Sequence, residues 1–489
     1  MSSAVNFKFH KIKGKLGLSS QNFVVFSLFK TLLISGLVLS VISMFFLSNP
    51  TCSNSAFFSP FAEKYFSSSS SSSVDTPTNL QHLAFGIQAS EKTYHFRKPY
   101  IEAWWRPNET MGYVYLDKPP RGNLLPWSPK SPPYRINDDI SKLIREVKPK
   151  NPTMPRMVHG ISELFREEHE GIRWIVMGDD DSIFFVDNLV EVLSKYDHTK
   201  YYYIGYPSEH VMSNYWFSFN QAFGGSGIIL SYPLAKALVK DMDRCLRTYG
   251  RLSSDLITES CLDDIGVNLT PNKGFHQIDL RGDLSGFLSS HPKDLVLSLH
   301  HVDKVYPYFP SMDRAKSTHH LMKAGNVDQS RLFQQTICYH RQNNWSFSIA
   351  WGYSAHIYEK TFPRKWLTMP IETFKPWRKG LSQPRYMFNV RRPSGDPCEA
   401  PHVFFFESMK KISSHEIITV YSRSASRNLT ACVSSGNYSA EYITKIYVLS
   451  PATKRTEIHR SECCDVVRVE DTGKADVKFR ECMTNEIIA

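Results

Sequence analysis

Along the 489 residues the spacing of apolar positions changes several times, and each change marks a different part of the chain. From 23 to 47 nearly every position is apolar, and 31–47 carries no charge. That approaches the roughly 20 residues a membrane-spanning helix requires. Lys8, Lys11, Lys13 and Lys15 precede it, and a basic flank of this kind stays in the cytosol, so the large C-terminal part is expected to cross to the lumen. A cleaved signal peptide is the other reading, but its apolar region usually runs only about 7–15 residues. The length favours an uncleaved anchor. An unbroken serine run follows at 67–73, between Pro60 and Pro77. Such a segment buries too little apolar surface to fold and predicts a flexible stem. The expected order is a cytosolic tail (1–22), an anchor (23–47) and a stem (48–79), with folded chain from 80 onward.

From 80 to about 302 short apolar runs alternate with amphipathic segments, the pattern of strands joined by helices in an α/β domain. The runs 83–87, 112–116, 174–177, 201–204 and 295–299 predict strands. Asn188 with Glu191 predicts a capped helix start, with Leu189, Val192, Leu193 and Tyr196 on one face. Pro233 fits the first turn of another helix, backed by Leu234, Ala237, Leu238 and Met242. Residues 306–391 are rich in aromatics and prolines and show no clear period. Beyond 392, strand-like runs at 416–421 and 442–449 and five cysteines predict a small, disulfide-stapled β-rich unit over 392–489.

Composition narrows the picture. A hydrophobic content of 42% is enough for a full core. The net charge of +11 is spread along the chain without basic runs, and no nucleic acid is expected as partner. Eight of the nine cysteines lie beyond the stem, an even number that suits disulfides in an oxidising compartment, and no His-Cys spacing suggests zinc. Asn-x-Ser/Thr sequons at Asn108, Asn268, Asn344, Asn428 and Asn437 point the same way.

The candidate chemistry lies at 173–181 (RWIVMGDDD), where an apolar strand runs into three acids. Residues two apart on a strand share a face, so Asp179 and Asp181 can converge on one cation while Asp180 points elsewhere. Hard oxygen ligands suit Mg²⁺ or Mn²⁺, which usually keep positions open for substrate phosphates. An acidic triplet in an exposed loop would mean nothing, but the C-terminal end of a buried strand is where open α/β sheets bind ligands. The segment at 224–227 (GGSG) lets backbone N–H groups approach a substrate, or is only a tight turn. Trp216 offers a ring to stack on a sugar, and core packing explains it equally well.

Several motifs in order carry a family resemblance: 173–181, then FGGSGIILS at 223–231, Ser254-Asp255 opening a helix with CLDDIG at 261–266, and GFHQIDLRG at 274–282. CYH at 338–340, NNWSF at 343–347 and DPCEAPHVFFF at 396–406 continue it. Over about 80–406 the chain resembles the Fringe-like β-1,3-glycosyltransferases, in particular a plant branch long catalogued as a domain of unknown function. The resemblance implies a GT-A type nucleotide-diphosphosugar fold over 80–391, a Rossmann-like mixed sheet with flanking helices. It further implies an inverting hexosyltransferase of the Golgi membrane that uses a UDP-sugar, a glycan or glycoprotein acceptor and Mn²⁺, with Mg²⁺ as second choice. On that pattern Asp179 and Asp181 address the metal, and Asp180 the donor ribose or sugar. The histidine after a late strand matches His300, with His301 the runner-up. Gly224, Gly225 and Gly227 border the substrate cleft, and Asp255 is the catalytic base. Ser254 departs from the family, which has an acid there. That departure keeps a second reading in view, a catalytically silent lumenal carbohydrate-binding or chaperone-like protein.

Overall fold

Buried at all seven positions, β1 (Leu83–Ala89) is an apolar run because both its faces are covered. Phe85 and Ile87 pack with Ile101 and Trp104 of the helix Glu91–Trp104, while Ala84 packs with Ile161 and Leu164 of the helix Thr153–Arg166. This is a computed structural model, and it describes residues 76–488 apart from 168–169, 380–382, 433–438, 456–458 and 471. The expected tail, anchor and most of the stem lie outside the described residues. Among the described residues no helix is long and apolar enough to cross a membrane.

β1 pairs in parallel with β2 (Met111–Leu116), and β2 with β3 (Tyr134–Ile136). On its other side β1 pairs in parallel with β4 (Trp174–Asp179), which turns into the short β5 (Ile183–Phe184). With β6 (Tyr203–Gly205), β7 (Ile228–Ser231) and β8 (Leu269–Pro271) these form a seven-stranded mixed sheet in the order β3-β2-β1-β4-β7-β6-β8. β7 is antiparallel to both its neighbours. β4 therefore sits mid-sheet and its C-terminal acids emerge from the core.

Beside this sheet, β9 (Phe275–His276) precedes β10 (Leu280–Gly282) and β11 (Ser298–Leu299). β11 pairs with β9 in parallel and with β5 antiparallel, which brings the residues after β11 back to the end of β4. The run at 295–299 thus contributes only two residues to a strand. Asn188 also departs from expectation: it lies inside the helix Val186–Leu193, and its buried amide donates to the carbonyls of Val296 (2.8 Å) and Gln329 (3.0 Å). A long-range partner takes the side chain that local spacing assigns to a cap.

The C-terminal part differs most from expectation. β12 (Gln335–His340), β13 (Trp345–Ala350) and β14 (Ser354–Tyr358) are followed by β15 (Phe374–Pro376), which pairs with β10. Then come β16 (His402–Lys411), β17 (Glu416–Arg423), β18 (Lys445–Pro451), β19 (Cys463–Glu470) and β20 (Lys474–Arg480). Eight of them form one sheet in the order β12-β13-β14-β16-β17-β18-β20-β19. The expected small unit starting at 392 is thereby corrected, since β14 before that point pairs with β16 after it. β13 and β14 are buried at every position, so no alternation betrays them, whereas β17 and β18 alternate cleanly. The edge strands β12 and β19 are joined by the disulfide Cys338–Cys464, which ties the two edges of the sheet to each other. Cys245–Cys261, Cys398–Cys432 and Cys463–Cys482 pair the remaining cysteines beyond the stem.

Candidate functional site

β4 delivers Asp179 at its last position, and a tight turn follows. The Ser182 N–H donates to the Asp179 carbonyl (3.0 Å), and Ser182 Oγ accepts from the Asp179 N–H (2.8 Å). The same hydroxyl donates to the Gly225 carbonyl (2.6 Å), which ties the acidic turn to the glycine segment. From the other side β11 ends at Leu299 and presents His300. Its Nε2 lies 3.3 Å from Asp181 Oδ1 and 3.7 Å from Asp179 Oδ2.

Asp179, Asp181 and His300 offer ligand atoms that all lie within 4.8 Å of one another. Asp181 Oδ2 and His300 Nδ1 are buried and have no hydrogen-bond partner among the described residues. Burial, followed by the charges of Asp181, Asp180 and Asp255, pushes Asp179 well above the usual carboxylate range. Burial would raise Asp181 as well, but His300 and Arg97 hold it well below that range. His300 is raised in turn: burial opposes its charge, and Asp181 outweighs that. Crowded acids, an imidazole and unused lone pairs fit a hard divalent cation.

The glycine segment separates His300 from Asp255. A Cβ on Gly225 would stand 2.0 Å from the His300 ring, and one on Gly224 would stand 2.8 Å from Asp255 Oδ1. The Gly224 N–H donates to Asp255 Oδ1 at 3.0 Å. Asp255 lies half-buried in the first turn of the helix Ser254–Ile265, and burial raises its carboxyl to about 6. A cavity of about 30 Å³ lies between Asp179, Gly224 and Asp255, large enough for water.

Residues 213–464 match the family model described as "Protein of unknown function, DUF604", just over half of the chain. The chain belongs to that family. It is also 25% identical over 117 residues to the β-1,3-glucosyltransferase of Mus musculus, a match that covers 24% of this chain and spans only 23% of that protein. The DUF604 match and this relative bear out the resemblance to the Fringe-like superfamily. Among solved structures, it is similar to the galactosyltransferase LgtC in complex with donor and acceptor sugar analogues. The identity is 10%, the overlap covers 48% of this chain and 94% of that one, and the TM-score is 0.31. Mouse xyloside xylosyltransferase 1 in its apo form gives 12% identity, 45% and 96% coverage, and a TM-score of 0.28.

In this DUF604 chain the other residues singled out in the sequence have varied surroundings. Asp180 is buried, and Arg97 donates to its Oδ1 at 2.5 Å. His301 turns elsewhere: its Nδ1 lies 3.1 Å from Asp279 Oδ1, and its ring stacks on Trp377 at 4.4 Å. Gly227 holds φ +112° against the rings of Phe184 and Phe275, so its absent side chain serves packing. Trp216 is 40% exposed, with the Arg378 guanidinium 4.1 Å above its ring.

Two site residues carry no sequence signal. Arg97, from the helix Glu91–Trp104, reaches Asp180, Asp181 (3.4 Å) and Asp303 (2.8 Å) at once. Gln88 on β1 lines the small cavity, and neither atom of its buried amide has a hydrogen-bond partner among the described residues. An arginine in an amphipathic helix and a polar residue near a strand end are too common to stand out.

Proposed function

We propose that the chain is an inverting hexosyltransferase of GT-A type that moves a hexosyl group from a UDP-sugar to a glycan or glycoprotein hydroxyl in β-1,3 linkage. The observation that carries this reading is the convergence of Asp179, Asp181 and His300, with unused lone pairs, beside a carboxylate raised to about 6. Asp179, Asp181 and His300 would hold Mn²⁺, or Mg²⁺ as second choice, which when bound supplies positive charge to the departing diphosphate.

The chain's own residues account for the rest. Asp255 takes the proton of the acceptor hydroxyl while that oxygen attacks the anomeric carbon from the face opposite the diphosphate. The bond between the anomeric carbon and the phosphate oxygen breaks, UDP leaves with the electron pair, and the proton ends on Asp255. A pKa near 6 leaves this carboxylate ionised at neutral pH and more basic than an ordinary aspartate. Gly224 orients it through the backbone N–H. Gln88 and Asp180 are available to the donor's hydroxyl groups, and Arg97 holds Asp180 in place. Burial raises Asp180 to about 6 against the opposing Arg97 charge.

A lumenal location on a type II Golgi membrane anchor belongs to the same reading. The four disulfides support it, as do the exposed sequon residues Asn108, Asn268, Asn344 and Asn428. The serine at 254, where the Fringe-like resemblance implies an acid, favours the second reading of a silent carbohydrate-binding protein. Donor hydrolysis separates the two. UDP-galactose, UDP-glucose and UDP-N-acetylglucosamine are screened for binding and hydrolysis with and without Mn²⁺, beside Asp181→Ala. Metal-dependent turnover of one donor, lost in the variant, is expected. Binding without hydrolysis leaves the silent reading, and equal behaviour of variant and wild type removes the metal site.

A further inference from the structure

A cleft of about 620 Å³ opens beside the helix Ser254–Ile265, in the size range of sites that hold small molecules. Glu259 and Asp263 line it, and they follow Asp255 along that helix at intervals of four residues. Residues so spaced share one helix face, each step advancing about 6 Å along the axis. The cleft therefore begins one turn beyond the proposed base. The backbone makes a second connection: Phe219 and Asn220 line the cleft, and a few residues on Gly224 donates its N–H to Asp255 Oδ1 at 3.0 Å.

The lining is held in place from within. Ser218 Oγ donates to Glu259 Oε1 (2.7 Å) and accepts the Asn220 N–H (2.9 Å). These two bonds fix the chain on both sides of Phe219, whose ring stays 49% exposed. Tyr206 and Met387, the latter 52% exposed, line the same cleft. The apolar area is thus contiguous and not scattered, which is the mark of a binding surface.

The mixture of groups points to a sugar. A sugar ring has an apolar C–H face that an aromatic ring can cover and a rim of hydroxyl donors. The ionised carboxylates of Glu259 and Asp263 only accept, so they suit those donors. Lys273 is the one cation in the lining. Two carboxylates against one ammonium turn away a uronate or a sulfate, because like charges brought together are penalised.

We propose that this cleft is the acceptor subsite and that it takes an uncharged oligosaccharide, with a sugar face on Phe219 and hydroxyls donating to Glu259 and Asp263. This role rests on the transferase reading and gives it an acceptor class. The hydroxyl that Asp255 deprotonates then belongs to the terminal sugar, and the sugars behind it lie along the helix toward Asp263.

Asn268 belongs to the same lining and heads a sequon, so the full chain is prepared as Asn268→Gln to keep any glycan of its own out of the cleft. With UDP and Mn²⁺ present it is probed against an array of neutral, uronate-bearing and sulfated oligosaccharides, and hydrolysis of UDP-sugars by the same chain is read beside it. Neutral glycans should bind and acidic ones should not. Adding Phe219→Ala should weaken the neutral glycans about tenfold, the scale on which one aromatic anchor counts, and Phe219→Tyr should retain them. Glu259→Gln keeps an acceptor for Ser218 and removes a charge; it should admit the uronate-bearing glycans, a change that a merely structural glutamate would not produce. No glycan binding, a preference for sulfated glycans, or binding unmoved by both Phe219→Ala and Glu259→Gln overturns the subsite, and donor hydrolysis in that case keeps the transferase reading. Neutral glycan binding that falls in Phe219→Ala while no donor is turned over upholds the cleft as a sugar site and removes the transferase reading.

Discussion

Gly225 and His300 occupy one space: a Cβ on the glycine would lie 2.0 Å from Cε1 of the imidazole, closer than any real contact. Gly225→Ala should therefore push the ring off Asp181 with little change elsewhere. We expect Mn²⁺ affinity to fall by about 10–100-fold, the range seen when a ligand loses its orientation. Calorimetric titration with Mn²⁺ checks this, and unchanged affinity would mean that His300 does not bind the ion.

Asp255 sets a pH limb. With its carboxyl raised to about 6 by burial, the ionised base should disappear as pH falls through 6, and kcat/KM for acceptor transfer should drop about tenfold per unit below that. Asp255→Asn should lose transfer by about 10²–10⁴-fold and abolish the limb, while donor binding persists. Stability runs the other way. The folded state holds this proton more tightly than the unfolded chain, so ionised Asp255 destabilises the fold above pH 6. The asparagine variant should melt higher than wild type at neutral pH; a lower Tm would assign the residue a structural role.

Arg97 neutralises a crowd of acids. Arg97→Met should leave Asp180, Asp181 and Asp303 without their shared cation and cost about 3–5 kcal/mol, the usual result of breaking a buried pair. Mn²⁺ should restore part of that loss by supplying charge to the same acids. Denaturant titrations with and without Mn²⁺ read the difference, and a loss independent of the metal would place Arg97 outside the ion's reach.

His356 predicts acid sensitivity in the C-terminal sheet. Burial, helped by Arg391, lowers it to about 3, so between pH 6.5 and 3 the unfolded chain binds a proton that the folded one refuses. Stability is complete above pH 6.5 and falls with acid by about 1.4 kcal/mol per unit from this group. His356→Phe should flatten that slope in urea denaturation measured from pH 7 to pH 4.

The disulfide Cys338–Cys464 closes a separation of 126 residues across the edges of the eight-stranded sheet. Replacing both cysteines with serine should cost about 2–5 kcal/mol and lower the Tm. An unchanged Tm would show that strand pairing alone holds the edges together.

Part of this arrangement is legible in the sequence because it depends on neighbours in the chain. The apolar run before Asp179 shows a buried strand ending in acids, since a strand's burial and its terminus are local properties. Pro233 marks a helix start, where the structure has Tyr232–Lys240, because φ is fixed within the residue itself. The even cysteine count beyond the stem matches four disulfides. Strands β13 and β14 stayed hidden, because full burial erases the alternation that would reveal them.

What the chain determined by itself was a local pattern, three acids at a strand end and a glycine segment of minimal bulk. Which groups gather around it was decided only by tertiary structure. His300 rather than His301 faces the acids because the backbone at His301 takes φ +56° and turns its ring to Asp279 and Trp377. Arg97 joins Asp180 across 83 positions and Asp303 across 206. Such contacts depend on how sheets and helices pack, and no spacing along a chain records a distance that only folding creates.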